Sequence, residues 1–123
     1  MTDNRLTPYA KGVLGEDAAC KYLQAKGMVL LMKRYHSPYG EIDLVMQDGD
    51  VLAMVEVKTR ENATIAECAY AITPKKQQRL CLTARCYLSE YPVQAPVRFD
   101  ALLIARDGIL HIPNAFEGRE WSW

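Results

Sequence analysis

The amino-acid sequence predicts an α/β fold with a mixed sheet and helices packed on it. Three observations lead to this prediction. Apolar runs of helical and strand length follow one another in the order helix, three strands, helix, strand, strand. Glycine, proline and Asp-Gly pairs separate these runs where helix ends and turns are expected. With 123 residues, half of them hydrophobic, residues 1–123 are expected to form a single domain with a real core.

The first half of the sequence is expected to hold one helix and three strands. In chain order these are a helix from Tyr9 to Lys26, strands Met28–Lys33, Glu41–Gln47 and Val51–Thr59, and a loop over Tyr35–Gly40 between the first two strands. Gly27 is typical of a helix C-cap, and Asp48-Gly49 is a strong hairpin signal. Because Val51–Val55 is apolar on both faces, the third strand is expected to be central and covered.

The second half is expected to hold a helix and two more strands. Thr73 and Pro74 suit the cap and the first position of a helix that continues to about Glu90. A strand over Val97–Arg106, a turn at Asp107-Gly108 and a short strand over Ile109–Ile112 follow, and His111 is expected to be structural. The polar and aromatic tail includes Trp121 and Trp123, which could stack on bases or pack on the body.

Composition limits the classes of function. Fifteen basic residues balance fifteen acidic ones, so phosphate binding would need a local patch of positive charge. No apolar run approaches the roughly 20 residues that a membrane span requires, and the polar start is not a secretory signal. The four cysteines include no C-x-x-C pair, which argues against structural zinc. Reduced thiols favour a cytoplasmic protein.

Carboxylates are expected to gather on one face of the central hairpin. If Asp48-Gly49 is a two-residue turn, Asp43 lies opposite Met54 and Glu41 lies opposite Glu56. Glu56 and Lys58 alternate onto that same face. A three-residue turn would instead send Glu41 and Asp43 to the other face.

Such a cluster is costly unless a cation compensates it, because like charges on one sheet face repel one another. Mg²⁺ or Mn²⁺ would suit carboxylate and carbonyl oxygens. Asp43 and Glu56 would then be ligands, with the carbonyl of Val57 as a further oxygen, and Lys58 would face the attacking water or a phosphate. The alternative is a solvent-exposed cross-strand set. The apolar run before Glu56 weakens that alternative.

Glu16 lies in the middle of the apolar stripe of the first helix, which is an unusual place for a glutamate. Two interpretations stay open. Glu16 could be paired with an arginine or a helix end, or it could be a fourth acidic group beside the metal.

The second helix carries a cluster of polar and basic side chains in its first turns. Together with Arg60, the candidates for nucleic-acid contact are Lys75, Lys76, Gln77 and Arg79. Cations at a helix start oppose its dipole, and a bound phosphate would relieve that cost. The alternative is a solvated helix face.

Several motifs together resemble a known family. The segments Gly40–Leu44, Val55–Arg60, Thr73–Leu80 and His111–Phe116 resemble those of the YraN-like family, within the PD-(D/E)xK superfamily of restriction-endonuclease-like nucleases. The resemblance implies an α-β-β-β-α-β core like that of archaeal Holliday-junction resolvases. By match to the superfamily motif it implies that Asp43, Glu56 and Lys58, with Glu16, are catalytic or metal-binding.

The leading hypothesis is therefore a metal-dependent endonuclease that hydrolyses phosphodiester bonds in DNA, with branched or single-stranded DNA as candidate substrates. One alternative is a catalytically silent nucleic-acid-binding domain that keeps the nuclease fold. Another is a metal-dependent hydrolase with a different substrate. Symmetric cleavage of two strands needs two active sites, so a homodimer is expected on such a substrate.

Overall fold

The computed structural model describes residues 8–68 and 72–117, with side chains from residue 12 onward in those ranges. Trp121 and Trp123 lie outside the described residues. The elements are α1 (Pro8–Ala25), β1 (Val29–Ser37), β2 (Gly40–Asp48), β3 (Val51–Arg60), a 3₁₀ helix (Ile65–Glu67), α2 (Pro74–Glu90), β4 (Val97–Ala105) and β5 (Gly108–Phe116). This order confirms the predicted α/β fold with an α-β-β-β-α-β core.

The five strands form one mixed sheet in the order β1-β2-β3-β4-β5. Only β3 and β4 are parallel among the four strand pairs, and α2 lies in the crossover that a parallel pair requires. One core cluster joins α1 to Leu44, Met46 and Val55, and the other joins α2 to Leu52 and Met54. The helices therefore cover opposite faces of the sheet, and β3 is the central strand that its sequence predicts.

Both predicted helix signals operate. Gly27 has a φ of 96°, and the N–H groups of Gly27 and Met28 donate to the carbonyls of Gln24 and Leu23 at 2.9 and 3.1 Å. At the start of α2 the Thr73 hydroxyl accepts a hydrogen bond from the Lys76 N–H, and Pro74 is the first helical residue. The backbone at the start of α2 is thus firmly placed.

The predicted loop over Tyr35–Gly40 is wrong. Strand β1 continues to Ser37, which pairs with Gly40, so that only Pro38 and Tyr39 form the turn. Ser37 stabilises this tight turn because its hydroxyl accepts from the Tyr39 N–H at 3.0 Å and lies 2.9 Å from the Thr83 hydroxyl of α2. These contacts hold the tip of the hairpin against α2.

The turns predicted at Asp48-Gly49 and Asp107-Gly108 each have two residues but are displaced by one residue along the chain. Asp48 pairs with Val51, so the turn residues are Gly49 and Asp50. Gly49 has a φ of 60°, as a type II′ turn requires at its first central position, and Asp48 stays in β2 through an ion pair with Arg98. At the second turn, Arg106 and Asp107 form the loop.

Two further predicted boundaries differ from the structure. Strand β5 begins at Gly108 and continues to Phe116, past the expected end at Ile112, because Phe116 stacks on Phe99 of β4. Tyr91, the C-cap residue directly after α2, is 46% exposed. Within residues 8–68 and 72–117 neither helix is long and apolar enough to span a membrane.

Candidate active site

Strands β2 and β3 part at one end of the sheet. Their backbone pairs extend from Asp48–Val51 to Leu44–Val55, and beyond that point the N–H of Val57 donates to the Asp43 carboxylate at 2.7 Å. The Asp43 side chain thus replaces a backbone acceptor. Because β2 stays paired with β1 and β3 stays paired with β4, a notch opens between β2 and β3 with Asp43 at its apex.

The regular alternation of side chains on β2 is broken at Asp43. Ile42 belongs to the core cluster of α2, whereas Leu44, two residues later, belongs to that of α1. The turn has two residues, as predicted, but it lies one residue later than expected. The pairing of β3 with β2 is therefore shifted by two residues, and an even shift keeps every side chain on its predicted face. The prediction nevertheless assumed that side chains alternate regularly along β2 as far as Glu41. That assumption is wrong, because the alternation is broken at Asp43.

The neighbouring strand is irregular at the same level. Arg34 lies on β1 across from Asp43 and has a φ of 52°, which is costly for a residue with a Cβ atom. This conformation accompanies a short ion pair, in which Arg34 Nε donates to Glu16 at 2.6 Å. Strain of this kind is often found at functional sites, where the surrounding contacts maintain it.

Three carboxylates meet in the notch. Among the described residues, Glu16, Glu41 and Asp43 offer oxygen atoms that all lie within 4.8 Å of one another. The Glu16 side chain is 13% exposed and pairs with Arg34, as the first interpretation expected. It also belongs to this carboxylate cluster, and its place beside a metal stays a prediction. Glu41, which also lies 3.1 Å from His36, was not among the predicted site residues.

The surroundings of Asp43 favour its neutral form. Burial, reinforced by the charge of Glu56 and then by those of Glu16 and Glu41, raises the pKa of Asp43 to about 7, against the opposing hydrogen bond from Val57. Ionisation of Asp43 is therefore opposed first by burial and then by the neighbouring carboxylates.

Glu56 lies beside this cluster and has a cation of its own. The carboxylate is buried, with 8% of the side chain exposed, and its Oε2 forms an ion pair with Lys76 Nζ of α2. Lys76 was predicted to contact nucleic acid, which stays a prediction, and in the structure it contacts the predicted metal ligand Glu56. The spacing of residues along α2 alone carries no signal for this contact.

Lys58 lies two residues after Glu56 and is partly buried. Burial, together with the positive charges of Lys76 and Arg60, lowers the pKa of Lys58, although Glu56 and Asp43 oppose this shift. The predicted set Asp43, Glu56 and Lys58 thus lies near one end of β3, where Glu56 and Asp43 both act on the pKa of Lys58.

The remaining predicted contact residues differ in their exposure and hydrogen bonds. Arg60, Lys75 and Arg79 are exposed. Gln77 is half-buried and donates its side-chain amide to the carbonyl of Ile72 at 2.8 Å, so one of its functions is to support the start of α2. Whether these residues bind nucleic acid stays a prediction.

The donor atoms suit a hard divalent cation. Glu16, Glu41 and Asp43 supply carboxylate oxygens only, and the raised pKa of Asp43 indicates a site that a cation would stabilise. Mg²⁺ and Mn²⁺ prefer such oxygen ligands, with water completing their coordination. The Val57 N–H donates to Asp43. The Val57 carbonyl, which was predicted as a metal ligand, takes no part in this hydrogen bond.

A family model described as "Uncharacterised protein family UPF0102" matches residues 15–104. The chain belongs to the UPF0102 family. Among its relatives, a UPF0102 protein of Rhodopseudomonas palustris (strain BisB18) is 42% identical over 116 residues, covering 92% of this chain and 84% of the relative. UPF0102 protein bll0669 of Bradyrhizobium diazoefficiens is 41% identical over 116 residues, with 92% and 86% covered. A UPF0102 protein of Nitrosomonas eutropha is 44% identical over 108 residues, with 87% and 93% covered.

The matched stretch contains the whole notch of this UPF0102 protein. It begins just before Glu16, includes Asp43, Glu56 and Lys58, and ends within β4, which supports β3 from the other side. The predicted relationship to the YraN-like family is thereby confirmed at the level of the family.

Proposed function

We propose that this UPF0102 protein is a divalent-metal-dependent endonuclease that hydrolyses phosphodiester bonds in DNA and acts in the cytoplasm. The observation that carries the proposal is the cluster of Glu16, Glu41 and Asp43 beside Glu56 and Lys58 at the notch. A buried carboxyl group with a raised pKa among other carboxylates, next to a partly buried lysine, suits phosphoryl chemistry better than it suits a structural end of a sheet.

Each residue has a distinct role in this proposal. Asp43 and Glu56 hold the cation, and Glu16 and Glu41 add negative charge around it. A bound Mg²⁺ or Mn²⁺ supplies electrophilic stabilisation of a phosphate and lowers the pKa of a water molecule. Lys58 donates hydrogen bonds to the scissile phosphate or to the attacking water, where negative charge develops. Arg60, Lys75 and Arg79 contact phosphates along the strand.

Lys58→Ala tests this assignment. Removal of an interaction made mainly in the transition state costs about 2.7–4 kcal/mol, so cleavage should fall by about 10²–10³-fold. DNA affinity should stay within a few-fold of wild type, because the other phosphate-binding side chains remain in place. Cleavage is measured with Mg²⁺ or Mn²⁺ on end-labelled duplex, single-stranded and branched DNA. Binding is measured by fluorescence anisotropy.

Lys21→Ala is the matched control, because Lys21 is an exposed lysine of α1 and should leave both measurements unchanged. Wild-type cleavage that survives in Lys58→Ala would assign the activity to another site or to a contaminant. The salt dependence of binding should flatten when Lys75 and Arg79 are replaced together by alanine, by about one unit of slope for each phosphate that is no longer neutralised.

A catalytically silent nucleic-acid-binding domain is the second candidate, and one observation favours it. Arg34 pairs with Glu16 and Lys76 pairs with Glu56, so internal cations already offset part of the acidic charge. Tight DNA binding by wild type without cleavage under either metal would support this candidate.

A homodimer on branched DNA is part of the proposal, since the described residues of one chain form one notch and symmetric cleavage needs two active sites. Light scattering with and without a branched substrate tests it. A monomer under both conditions would restrict the activity to cleavage of single strands.

A further inference from the structure

Lys75 and Lys76 are neighbours at the start of α2 and have different surroundings. Lys75 is exposed, whereas Lys76 reaches into the notch and contacts Glu56 Oε2. The Lys76 side chain is 34% exposed, so its ammonium group has a route to solvent on one side and the buried carboxylate on the other.

The backbone of Lys76 is fixed where it is. Its N–H donates to the Thr73 hydroxyl at 3.2 Å, and Pro74 sets the first turn of the helix. Only the side chain can therefore leave Glu56, and the four-carbon stem of lysine is flexible enough to do so.

A divalent ion and the Lys76 ammonium compete for the same carboxylate. Glu56 has little exposed surface, and the ion pair with Lys76 occupies Oε2. Positive charge is already concentrated here, since Lys76 contacts Glu56 and Lys58 lies two residues after Glu56 on β3. A further cation on Glu56 would meet strong repulsion unless Lys76 moved away.

We propose that Lys76 is a positioning residue that holds Glu56 in the metal-free protein and is displaced from it when a divalent ion binds. This inference rests on the metal site of the proposed function. The apparent metal affinity is reduced by the fraction of molecules in which Glu56 is free. If that fraction is about one in ten, the ion pair weakens metal binding about tenfold.

The displaced ammonium lies on the side of α2 that also carries Lys75 and Arg79, which are exposed. A nucleic-acid phosphate there would accept a hydrogen bond from the Lys76 ammonium group. Metal and nucleic acid would then each favour the binding of the other, because both stabilise the arrangement in which Lys76 has left Glu56.

Mn²⁺ titration of the full-length protein by calorimetry tests the displacement without any requirement for cleavage. Lys76→Met and Lys76→Gln should bind Mn²⁺ about tenfold more tightly than wild type. Lys76→Arg, which keeps a cation on Glu56, and the matched control Lys75→Met should stay within about twofold. The titrations are repeated at about 0.15 M and about 0.5 M salt, because salt screens long-range charge effects more than direct displacement.

Thermal unfolding supplies a second readout. In EDTA, Lys76→Met should be less stable than wild type because Glu56 is buried without its counterion. In Mn²⁺ this difference should close, since the metal then takes the place of the lysine. If Lys76 had a purely structural role, the difference in stability between Lys76→Met and wild type would be the same in EDTA and in Mn²⁺. If Lys76→Met fails to fold, Lys76→Gln, which keeps a hydrogen-bond donor, takes its place in both measurements.

Two results would overturn the inference. If wild type binds Mn²⁺ and the Met and Gln variants bind it equally or more weakly, displacement is wrong while the metal site stands. If neither wild type nor any variant binds Mn²⁺, both the displacement and the proposed metal site are wrong. The wild-type titration distinguishes this result from the first one.

Discussion

Asp43 and Asp100 lie on β2 and β4, on either side of the central strand β3. Asp100 has no exposed side-chain surface, and each of its oxygens accepts from Arg98, at 2.8 and 2.9 Å. The Asn114 N–H and His111 Nε2 complete its partners at 3.0 and 2.8 Å. Asp43 has one backbone donor and carboxylates around it.

Burial acts on both carboxyl groups in the same direction, yet their net pKa shifts are opposite. Burial alone would raise the pKa of Asp100, but the hydrogen bonds from Arg98, Asn114 and His111 hold it below its ordinary value. The pKa of Asp43 rises to about 7, because nearby carboxylates add to the effect of burial. A buried aspartate with a full set of donors stabilises the fold, whereas one that lacks them indicates a site for a ligand.

The largest effect is expected at Asp100. Asp100→Asn removes the charge that offsets Arg98, and loss of one partner of a buried pair costs about 3–5 kcal/mol in the free energy of unfolding. Urea unfolding measures the loss. Asp48→Asn is the control, because Asp48 is a 43% exposed partner of the same Arg98 and should cost less than about 1 kcal/mol. Equal losses would refute the distinction between the two.

At Asp43 the same substitution should have the opposite sign in the metal-free protein. The pKa of Asp43 in the folded protein lies above its ordinary value of 3.8, so its contribution to stability is complete below about pH 3.8 and is lost as the pH rises through about 7. Asparagine does not ionise, and its carbonyl can still accept from Val57.

Asp43→Asn should therefore be more stable than wild type at about pH 8 by roughly 1–3 kcal/mol, since one pKa unit corresponds to about 1.4 kcal/mol and solvent screens part of the charge. Urea unfolding in EDTA from about pH 4 to about pH 8 should show the advantage growing with pH. An advantage that stays constant over this range would mean that ionisation of Asp43 is not its source.

A smaller effect should distinguish Asp43 from Asp100 by the stability that Mn²⁺ adds to the protein. Mn²⁺ at about ten times its dissociation constant should stabilise wild type by about 1.4 kcal/mol. Thermal unfolding should show this gain in Asp100→Asn, which keeps the notch, and not in Asp43→Asn. A gain in all three proteins would place the Mn²⁺ elsewhere.

Local signals in the sequence were reliable for the order of the elements and for the helix ends. Gly27, Thr73 and Pro74 act through neighbours a few residues away, so their signals do not depend on the rest of the fold. The apolar run before Glu56 correctly predicted a covered central strand. Turn positions were less secure, because the ion pair of Asp48 with Arg98 joins residues 50 positions apart.

The sequence by itself therefore determined the α/β architecture and brought Asp43, Glu56 and Lys58 to one end of the central hairpin, because helix caps and apolar runs are local signals. Only the tertiary structure decided how their charges are compensated. Glu16 meets Arg34, Glu56 meets Lys76, and Asp100 meets His111 from separate elements. Such contacts depend on strand register and on the packing of helices against the sheet, which no local pattern specifies.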